Sequence, residues 1–327
     1  MFTQREIAAF SLHRAIEAAA TGSLRGTLEA ELLGASATPM SFRLPFELLS
    51  AGRRDLVTAP GSAGGYLVST TTGNQPIDVL RPYSAALGFG ARLLPGQTGS
   101  LGVPVVTAAS PAHWLAHESD PLPTDEQPAL GKVASSPRTV AALVRYSRQL
   151  RLQANPDQFL ARHLLGTIGA ALDSAILQGA GAAGEPLGLL SLPGVADVAG
   201  TDFAWDSVLE MEEAASAADA EPTGLIGTPA VRRLLKKRPR ITDGEVMIWD
   251  GAAIAGIPAA VTTTCPTGTL FAGRWDEVVV PVWGEGIEIA FDPATAFRQG
   301  VIQARAMLSC DVAIAHPAAF ARATSIT

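Results

Sequence analysis

One long helix constrains the fold of this chain more than any other feature. Asn155 and Pro156 supply an N-cap and a proline at the first helical position, and Gly179 ends the helix. Between them, one apolar face repeats every four residues, at Leu160, Leu164, Ile168, Leu172 and Ile176. A helix over residues 156–178 is about 35 Å long at roughly 1.5 Å per residue, so other elements must pack along it.

Composition limits what surrounds this helix. The chain of 327 residues is 47% hydrophobic and 17% charged, which is typical of a folded protein with a buried core. Its apolar runs are shorter than a membrane-spanning helix requires, and its first residues lack the layout of a secretory signal. We therefore expect a soluble intracellular protein that does not act at a membrane.

Charge and cysteine content exclude further classes of protein. The net charge of −7 argues against electrostatic binding of nucleic acid, because such binding needs cationic groups that neutralise phosphates. Cys265 and Cys310 lie far apart in the sequence, so neither a disulfide framework nor a multi-cysteine zinc site is expected.

Shorter helices and many strands make up the rest of the pattern. The first fifty residues have helical spacing, and residues 40–63 have the composition of a connecting arm. An acidic helix is predicted over residues 206–219 with Leu209 on its buried side, and a basic helix begins at Thr228. Short strands are predicted at 257–261, 269–272, 278–282, 287–291 and 301–308. Because helices and strands do not alternate regularly, the predicted fold class is α+β.

A long excursion is predicted between residues 96 and 140. Residues 101–105 alternate between apolar and other side chains, and residues 133–144 carry a second extended run. The segment 108–126 between them contains several prolines among acidic and small residues, which would not pack as a central strand. We predict a two-stranded projection with an irregular acidic tip, and loops of this length usually have a function or a partner.

A glycine motif at the end of the long helix matches the dinucleotide-binding spacing by letter. Gly179, Gly181 and Gly184 follow the helix, whereas a dinucleotide site needs a strand that leads through the glycines into a helix N-terminus. We therefore predict a helix stop followed by a turn, and we expect no cofactor.

A metal site is an alternative interpretation of the acidic tip. His113 and His117 lie four residues apart with Glu118 adjacent, and a helix would bring the two imidazoles together. Prolines on both sides make a helix unfavourable there. We favour a polar loop tip, and a metal-dependent hydrolase that uses these residues stays an alternative function.

The strongest charge feature is a cationic run in the predicted basic helix, formed by Arg232, Arg233, Lys236, Lys237, Arg238 and Arg240. One interpretation is a phosphate-binding patch. In an acidic chain we favour pairing with carboxylates of the acidic segment 206–221, within one subunit or between subunits. Arginine suits such contacts because its planar group can donate two hydrogen bonds to one carboxylate.

Short motifs follow a characteristic order from about residue 58 to the C-terminus. Along the chain they are Gly64-Gly65-Tyr66-Leu67-Val68, Val103-Pro104 with Trp114 and Glu118, Ser147-Arg148-Gln149-Leu150, Leu172-Asp173, Glu185-Pro186, Ala255-Gly256-Ile257-Pro258, Gly273-Arg274-Trp275, and Arg305 with Pro317-Ala318-Ala319-Phe320. This order resembles the major capsid protein of tailed bacteriophages, the family whose fold is named after phage Hong Kong 97. Trp114 and Glu118 stand four apart where the family pattern suggests three, so we expect a tip of different shape.

The resemblance implies an α+β, Hong Kong 97-like fold with an N-terminal arm, an extended β-hairpin loop, a peripheral domain with a long spine helix, and an axial domain. The implied division is a helical segment (a reduced scaffold or an arm) at 1–57, the N-arm and start of the peripheral domain at 58–95, the extended loop at 96–140, the peripheral domain at 141–198 with the spine helix at 156–178, the axial domain at 199–290, and C-terminal strands returning to the peripheral domain at 291–327.

The resemblance also implies a structural function and no enzymatic activity. The chain would assemble with itself, as pentamers and hexamers, into an icosahedral shell that encloses phage double-stranded DNA without sequence-specific binding. Implied further partners are a portal, a scaffold and a prohead protease. The implied location is the virion capsid, assembled in the host cytoplasm. An encapsulin-type compartment that encloses cargo enzymes shares this architecture and is the first alternative, and a tail or other virion protein is a further one.

Subunit contacts are expected mainly at charged residues. The acids at the loop tip should meet basic residues of a neighbouring subunit. Lys132 is the only lysine of the loop and lies on its returning strand, so no covalent cross-link is predicted. The interface candidates are Trp114, Glu118, Asp120, Asp125, Glu126, Arg138, Arg145, Arg232, Arg233, Lys236 and Lys237.

Overall fold

A computed structural model describes most of the chain. It covers residues 14–15, 18–19, 29–30, 41–45, 84–108, 129–147, 157–241, 244–284, 286–292, 295, 298 and 300–327. The α-helices are α1 (Ala85–Gly88), α2 (Asp157–Gln178), α3 (Trp205–Ser216) and α4 (Pro229–Leu235). The strands are β1 (Ser41–Pro45), β2 (Arg92–Gln97), β3 (Leu101–Ala108), β4 (Ala129–Ser135), β5 (Arg138–Ser147), β6 (Ala196–Ala199), β7 (Gly224–Gly227), β8 (Trp249–Asp250), β9 (Ala253–Ile254), β10 (Ile257–Val261), β11 (Leu270–Gly273), β12 (Val278–Trp283), β13 (Gly286–Asp292), β14 (Val301–Cys310), β15 (Ala313–Ile314) and β16 (Phe320–Thr324).

The predicted long helix is confirmed as α2, which runs over Asp157–Gln178. The predicted apolar face is buried, with Leu164, Ile168, Leu172 and Ile176 at most 1% exposed. Burial of each such side chain contributes about 1.5–3 kcal/mol. The helix lies against β5 and β14, so it supports one sheet along its length.

The first sheet has seven strands, in the path β1-β13-β14-β12-β15, with β5 on β14 and β2 on β12. The longest pairing joins β5 and β14 antiparallel over ten residues, from Val301 opposite Ser147 to Cys310 opposite Arg138. Along β14, every second residue is buried, as alternation in a strand with one covered face requires. The covered face packs on α2 in the larger apolar core.

The second sheet also has seven strands, in the order β6-β16-β11-β7-β10-β9-β8. Its two faces belong to different cores, since Leu225 of β7 packs with α3 and α4 while the next residue, Ile226, packs in the larger core. Parallel and antiparallel pairs mix, with β6 on β16 and β10 on β7 parallel. The predicted α+β class is therefore confirmed.

Trp275 joins the two sheets. Its side chain is fully buried and donates a hydrogen bond from Nε1 to the carbonyl of Gly224 at 2.9 Å. Its ring stacks on Phe89 at 6.3 Å and meets Phe320 edge-on at 5.6 Å. A Cβ atom on Gly224 would lie 2.5 Å from the Phe89 ring, so only glycine allows this close approach.

The N-terminal region differs from the helix expected over the first fifty residues. Residues 14–15, 18–19 and 29–30 are helical, but Ser41–Pro45 forms β1, which pairs antiparallel with β13. A free edge of β13 provides backbone partners, which local helical spacing cannot reveal. Ala15 and Ala19 lie in the larger core, so this region packs on the rest of the subunit.

The extended run expected at 133–144 is observed, divided between two strands, since β4 ends at Ser135 and β5 begins at Arg138, where the chain passes from the hairpin to the first sheet. One local expectation is wrong. Leu209 is 41% exposed, since the buried face of α3 is formed by Val208, Met211 and Ala215.

The sheets also mix parts of the implied domains. Strands β12 and β13 come from the segment expected to be axial, yet they pair in the first sheet, and β16 from the C-terminal segment pairs in the second sheet. The six-part division stays a prediction, because strand pairing defines sheets and not domains.

Candidate subunit interface

A two-stranded hairpin lies outside both sheets. Strands β3 and β4 pair antiparallel from Leu101 opposite Ser135 to Ala108 opposite Ala129. Along β4 the side chains of Leu130 and Lys132 are exposed, Leu130 to 72%. Val105 and Ser135 are buried, so among the described residues one part of the hairpin is covered by its own subunit and the Leu130 side is open to solvent.

The tip of this hairpin, residues 109–128, lies outside the described residues. It carries the interface candidates Trp114, Glu118, Asp120, Asp125 and Glu126 and the histidines of the metal hypothesis, His113 and His117. Their predicted contacts stay predictions.

The base of the hairpin is fixed by a buried carboxylate that the sequence did not indicate. Asp311 is 6% exposed and accepts hydrogen bonds from the backbone N–H groups of Ser136 and Val312, each at 2.9 Å. The Arg138 guanidinium lies 3.6 Å from the same carboxylate and also donates to the carbonyl of Glu185. Arg138, a predicted interface residue, is thus engaged within its own subunit.

The outer face of β5 presents Arg145 and Leu143 to solvent. Leu143 is 55% exposed and lies opposite Arg305, whose guanidinium is 3.5 Å from Glu288. Alternation along β5 places these side chains on the face away from α2. Leu143 was not predicted as an interface residue. Its position on the exposed side of the alternating β5 pattern could have indicated it.

The cationic run divides into two groups. Arg232 stacks over Trp249 at 5.7 Å, Arg240 stacks over Trp205 at 4.7 Å, and Arg238 donates to the backbone carbonyls of Phe203 and Thr327. These three residues stabilise the fold. The second group, Arg233, Lys236 and Lys237, is exposed and makes no ion pair with a carboxylate of the described residues.

The acidic helix α3 does not neutralise the second group. Asp206, Glu210 and Glu213 are exposed on one helical face, and Leu209 lies among them. Within the described part of the subunit, none of these acids forms an ion pair with the basic run. The intrasubunit pairing favoured from the sequence is therefore not observed there.

Asp173 of α2 holds α1 in place. Its carboxylate accepts hydrogen bonds from Ser84 Oγ at 2.5 Å and from the N–H groups of Ala85 and Ala86 at 2.7 and 3.2 Å. Burial raises the pKa of Asp173, and the three hydrogen bonds oppose this shift without reversing it. This network positions α1 and β2 and belongs to the scaffold behind the exposed surfaces.

Chemically reactive groups are sparse in the described regions. No cluster of three His, Cys, Asp or Glu side chains suited to a metal occurs among those residues. Burial raises the pKa of the Cys265 and Cys310 thiols to about 12, which keeps both protonated at neutral pH.

The glycine motif forms a turn, as predicted. The helix α2 ends at Gln178, Ala180 bridges Leu187 antiparallel, and Gly181 and Gly184 have positive φ of 70° and 87°. A Cβ on Gly188 would lie 2.5 Å from the Gly179 nitrogen, so the return of the chain is tightly packed. None of the α-helices given above is long and apolar enough to cross a membrane, as far as the described residues go.

The model of the phage capsid family matches residues 64–325 of the chain. The major capsid protein of Halomonas phage phiHAP-1 is 27% identical in an alignment over 314 residues that covers 92% of this chain and 52% of that protein. The chain thus spans about half the length of the curated relative that it matches.

Solved structures share the fold at lower identity. The capsid of an empty GTA particle has a TM-score of 0.61 and 19% identity, and the alignment covers 82% of this chain and 98% of that chain. A chain of Microbacterium phage Oxtober96 has a TM-score of 0.59 and 17% identity, with 80% and 98% covered. A chain of Mycobacterium phage Adephagia has a TM-score of 0.59 and 16% identity, with 84% and 96% covered. These likenesses confirm the Hong Kong 97-like fold.

Proposed function

Because this chain belongs to the phage capsid family, we propose that it is a structural shell protein that assembles with itself around phage double-stranded DNA. The family match covers most of the chain, and the Halomonas phage relative is named a major capsid protein. Neither finding favours an encapsulin-type compartment, a tail protein or a metal-dependent hydrolase. The structural role needs no catalytic site, and the protonated thiols supply no nucleophile.

The hairpin β3–β4 is the observation that supports this proposal most directly. It projects from the subunit with Leu130 exposed to 72%, while its base is held by Asp311. A two-stranded hairpin is only marginally stable in water unless something packs on it. A neighbouring subunit supplies that surface, and in a closed symmetric assembly the same contact repeats in every subunit.

Charged residues would then set the contacts between subunits. We propose that the tip acids Glu118, Asp120, Asp125 and Glu126 meet cationic side chains of the neighbour, with Arg145 on the outer face of β5 as an exposed candidate. Trp114 would add apolar contact area at the tip. Pairs of this kind steer association and fix register more than they add affinity.

The proposed assembly has pentamers and hexamers in an icosahedral shell. The GTA relative is a capsid described with C5 symmetry, in line with such rings. An inner wall of a chain with net charge −7 would enclose DNA without binding it tightly, since phosphates are not neutralised. Proposed further partners are a portal, a scaffold and a prohead protease, and the proposed location is the virion after assembly in the host cytoplasm.

Microscopy of the purified protein tests the function. The full chain, expressed alone and imaged by negative-stain electron microscopy, should form closed shells of uniform diameter, with a fast-sedimenting species in velocity ultracentrifugation. A preparation that contains monomers only, under conditions of varied salt and pH, would contradict the proposal.

A loop variant tests the role of the tip acids. Glu118→Lys combined with Asp125→Lys should reduce the shell fraction and leave the thermal unfolding temperature of the subunit unchanged, because the introduced lysines would repel the neighbour's cations, which the acids attract. The isosteric Glu118→Gln with Asp125→Asn should give an intermediate shell fraction. Normal shells from the lysine variant would refute this role.

A further inference from the structure

The second sheet carries a cationic surface without an acidic partner. We call it the basic surface, formed by Arg233, Lys236 and Lys237, all exposed and without an ion pair to the described carboxylates. The neighbouring Arg232 and Arg238 stabilise the fold through Trp249 and two backbone carbonyls. Three cations on one helix end that form no ion pair with the described carboxylates, in an acidic protein, favour an anionic partner.

A groove runs beside the basic surface, with a volume of about 500 Å³. Its apolar lining includes Val231, Leu234 and Ile326, and Arg233 and Lys237 also line it. An apolar floor with cationic groups beside it matches a partner segment in which an apolar side chain stands between carboxylates.

Helix α3 carries a segment with this chemistry. We call it the acidic stripe, formed by Asp206, Leu209, Glu210 and Glu213 at helical spacing on one exposed face. Leu209 is 41% exposed among three carboxylates, although the helix has buried positions for apolar side chains. This apolar side chain between carboxylates complements the apolar floor and the flanking cations of the groove.

The subunit does not join the two surfaces by an ion pair among the described residues. Helix α3 packs on β6, β16 and β11, and the groove beside the basic surface is lined by Gly268 and Ile326, which flank β11 and β16. Arg238 donates to the carbonyl of Phe203, two residues before α3 begins, and Glu213 lies about 12 Å along the helix from Trp205. The stripe and the basic surface therefore suit contacts between two molecules.

We propose that the basic surface of one subunit binds the acidic stripe of a second copy of this chain, with Leu209 seated in the groove beside Arg233 and Lys237. The two surfaces differ, so the contact is head-to-tail, and repeating it closes a ring when the rotation allows. The inference rests on the proposed function, because it assigns one contact within the rings of the shell.

Charge reversal tests this contact. Glu210→Lys with Glu213→Lys, and separately Arg233→Glu with Lys237→Glu, should each lower the shell fraction in velocity ultracentrifugation about tenfold, because like charges would then face each other at every contact of the ring. The chain that carries all four changes has the starting net charge and complementary surfaces again, so its shell fraction should return to near that of the unmodified chain. Leu209→Gln, which leaves the charge unchanged, should also lower the shell fraction.

Controls separate this contact from general charge effects and from misfolding. Glu221→Lys, at an exposed position beyond the end of α3, should keep normal shells, whereas the matched Glu210→Lys should not. Thermal unfolding and near-ultraviolet circular dichroism should be unchanged in all variants, because every substituted charged side chain is exposed. If the unmodified chain forms shells and both reversal variants form equally abundant shells, the proposed contact is wrong and the proposed function stands. The same holds if the chain with all four changes does not recover its shell fraction. Absence of shells from the unmodified chain would overturn the proposed function and this contact with it.

Discussion

A single carboxylate, Asp173, connects segments that are far apart in the sequence. It lies on α2 and accepts three hydrogen bonds from residues 84–86, about ninety positions earlier in the chain. Burial makes its ionised form costly, while the loss of its hydrogen bonds would leave buried donors without an acceptor. Asp173 therefore stabilises the fold through its hydrogen bonds, and the cost of burying its ionised carboxylate depends on pH.

We expect Asp173 to make stability increase as pH falls. Its folded-state pKa lies above the ordinary value of about 3.9, so the folded protein binds the proton more tightly than the unfolded chain does. The stability it contributes is full below that ordinary value and is lost as pH rises through the raised folded-state pKa. Measured by urea unfolding, the difference in free energy between wild type and Asp173→Asn should shift in favour of wild type between neutral and acidic pH. A difference that is independent of pH would contradict the assignment.

At the scale of elements, the junction between the hairpin and the first sheet depends on Asp311. The carboxylate holds Ser136 where the chain leaves β4 and is close to Arg138 where it enters β5. The link between β4 and β5 is thus tied at both ends to Asp311, which directly follows β14. The direction of the hairpin therefore depends on the position of β14.

Asp311→Ala should loosen this junction. Two backbone donors and one guanidinium would lose their acceptor, at a cost of about 1–3 kcal/mol in the free energy of unfolding. Hydrogen exchange should accelerate at the amides of Ser136 and β4, and amides of α2 should keep their protection. Asp311→Asn retains one acceptor oxygen and should have a smaller effect. Equal exchange in wild type and the alanine variant would show that other contacts fix the hairpin.

Elements with strong local signals could be predicted from the sequence, and those fixed by distant partners could not. The apolar repeat every four residues predicts α2, which is observed, and the predicted Thr228-Pro229 start of α4 is also observed, with Thr228 accepting a hydrogen bond from the Val231 N–H. The strand β1 was missed because its partner β13 lies about 245 residues away. The role of Asp311 could not be predicted for the same reason, since the Ser136 N–H and the Arg138 guanidinium that it holds belong to a distant segment.

For surface contacts, the sequence predicts which types of residue take part but not which individual side chains are exposed. Charge indicated Arg233 and Lys237, but the same run contains Arg238 and Arg240, which the fold uses internally. Exposure decides between these roles, and it depends on which helix face meets the sheet. A rotation of one residue, about 100°, separates the exposed Leu209 from the buried Val208.

At the scale of the assembly, the head-to-tail contact predicts a dependence on ring parity. A subunit with the reversed acidic stripe and a subunit with the reversed basic surface repel their own kind and attract each other. Rings that alternate the two can close when their number of members is even, whereas an odd ring contains at least one like-charged contact.

Coexpression of the two reversal variants, Glu210→Lys with Glu213→Lys and Arg233→Glu with Lys237→Glu, checks this dependence. Electron microscopy should show sheets or tubes of six-membered rings and few closed shells, since closure of an icosahedron needs five-membered rings. The chain with all four changes is the control and should close normally. Closed shells in equal yield from the coexpressed pair would contradict the head-to-tail arrangement.

The joint at Trp275 has a mechanical consequence for such a container. Its ring lies between Phe89 and Phe320. Gly224 and Gly273 lie so close to the rings of Phe89 and Phe320 that a Cβ atom at either glycine would overlap the neighbouring ring. Tension applied to one sheet is transmitted to the other through rigid, dispersion-packed rings rather than through a flexible linker. In the proposed shell each subunit would then behave as a stiff tile, and we expect a wall of such tiles to yield under internal pressure at the seams between subunits before it yields within them.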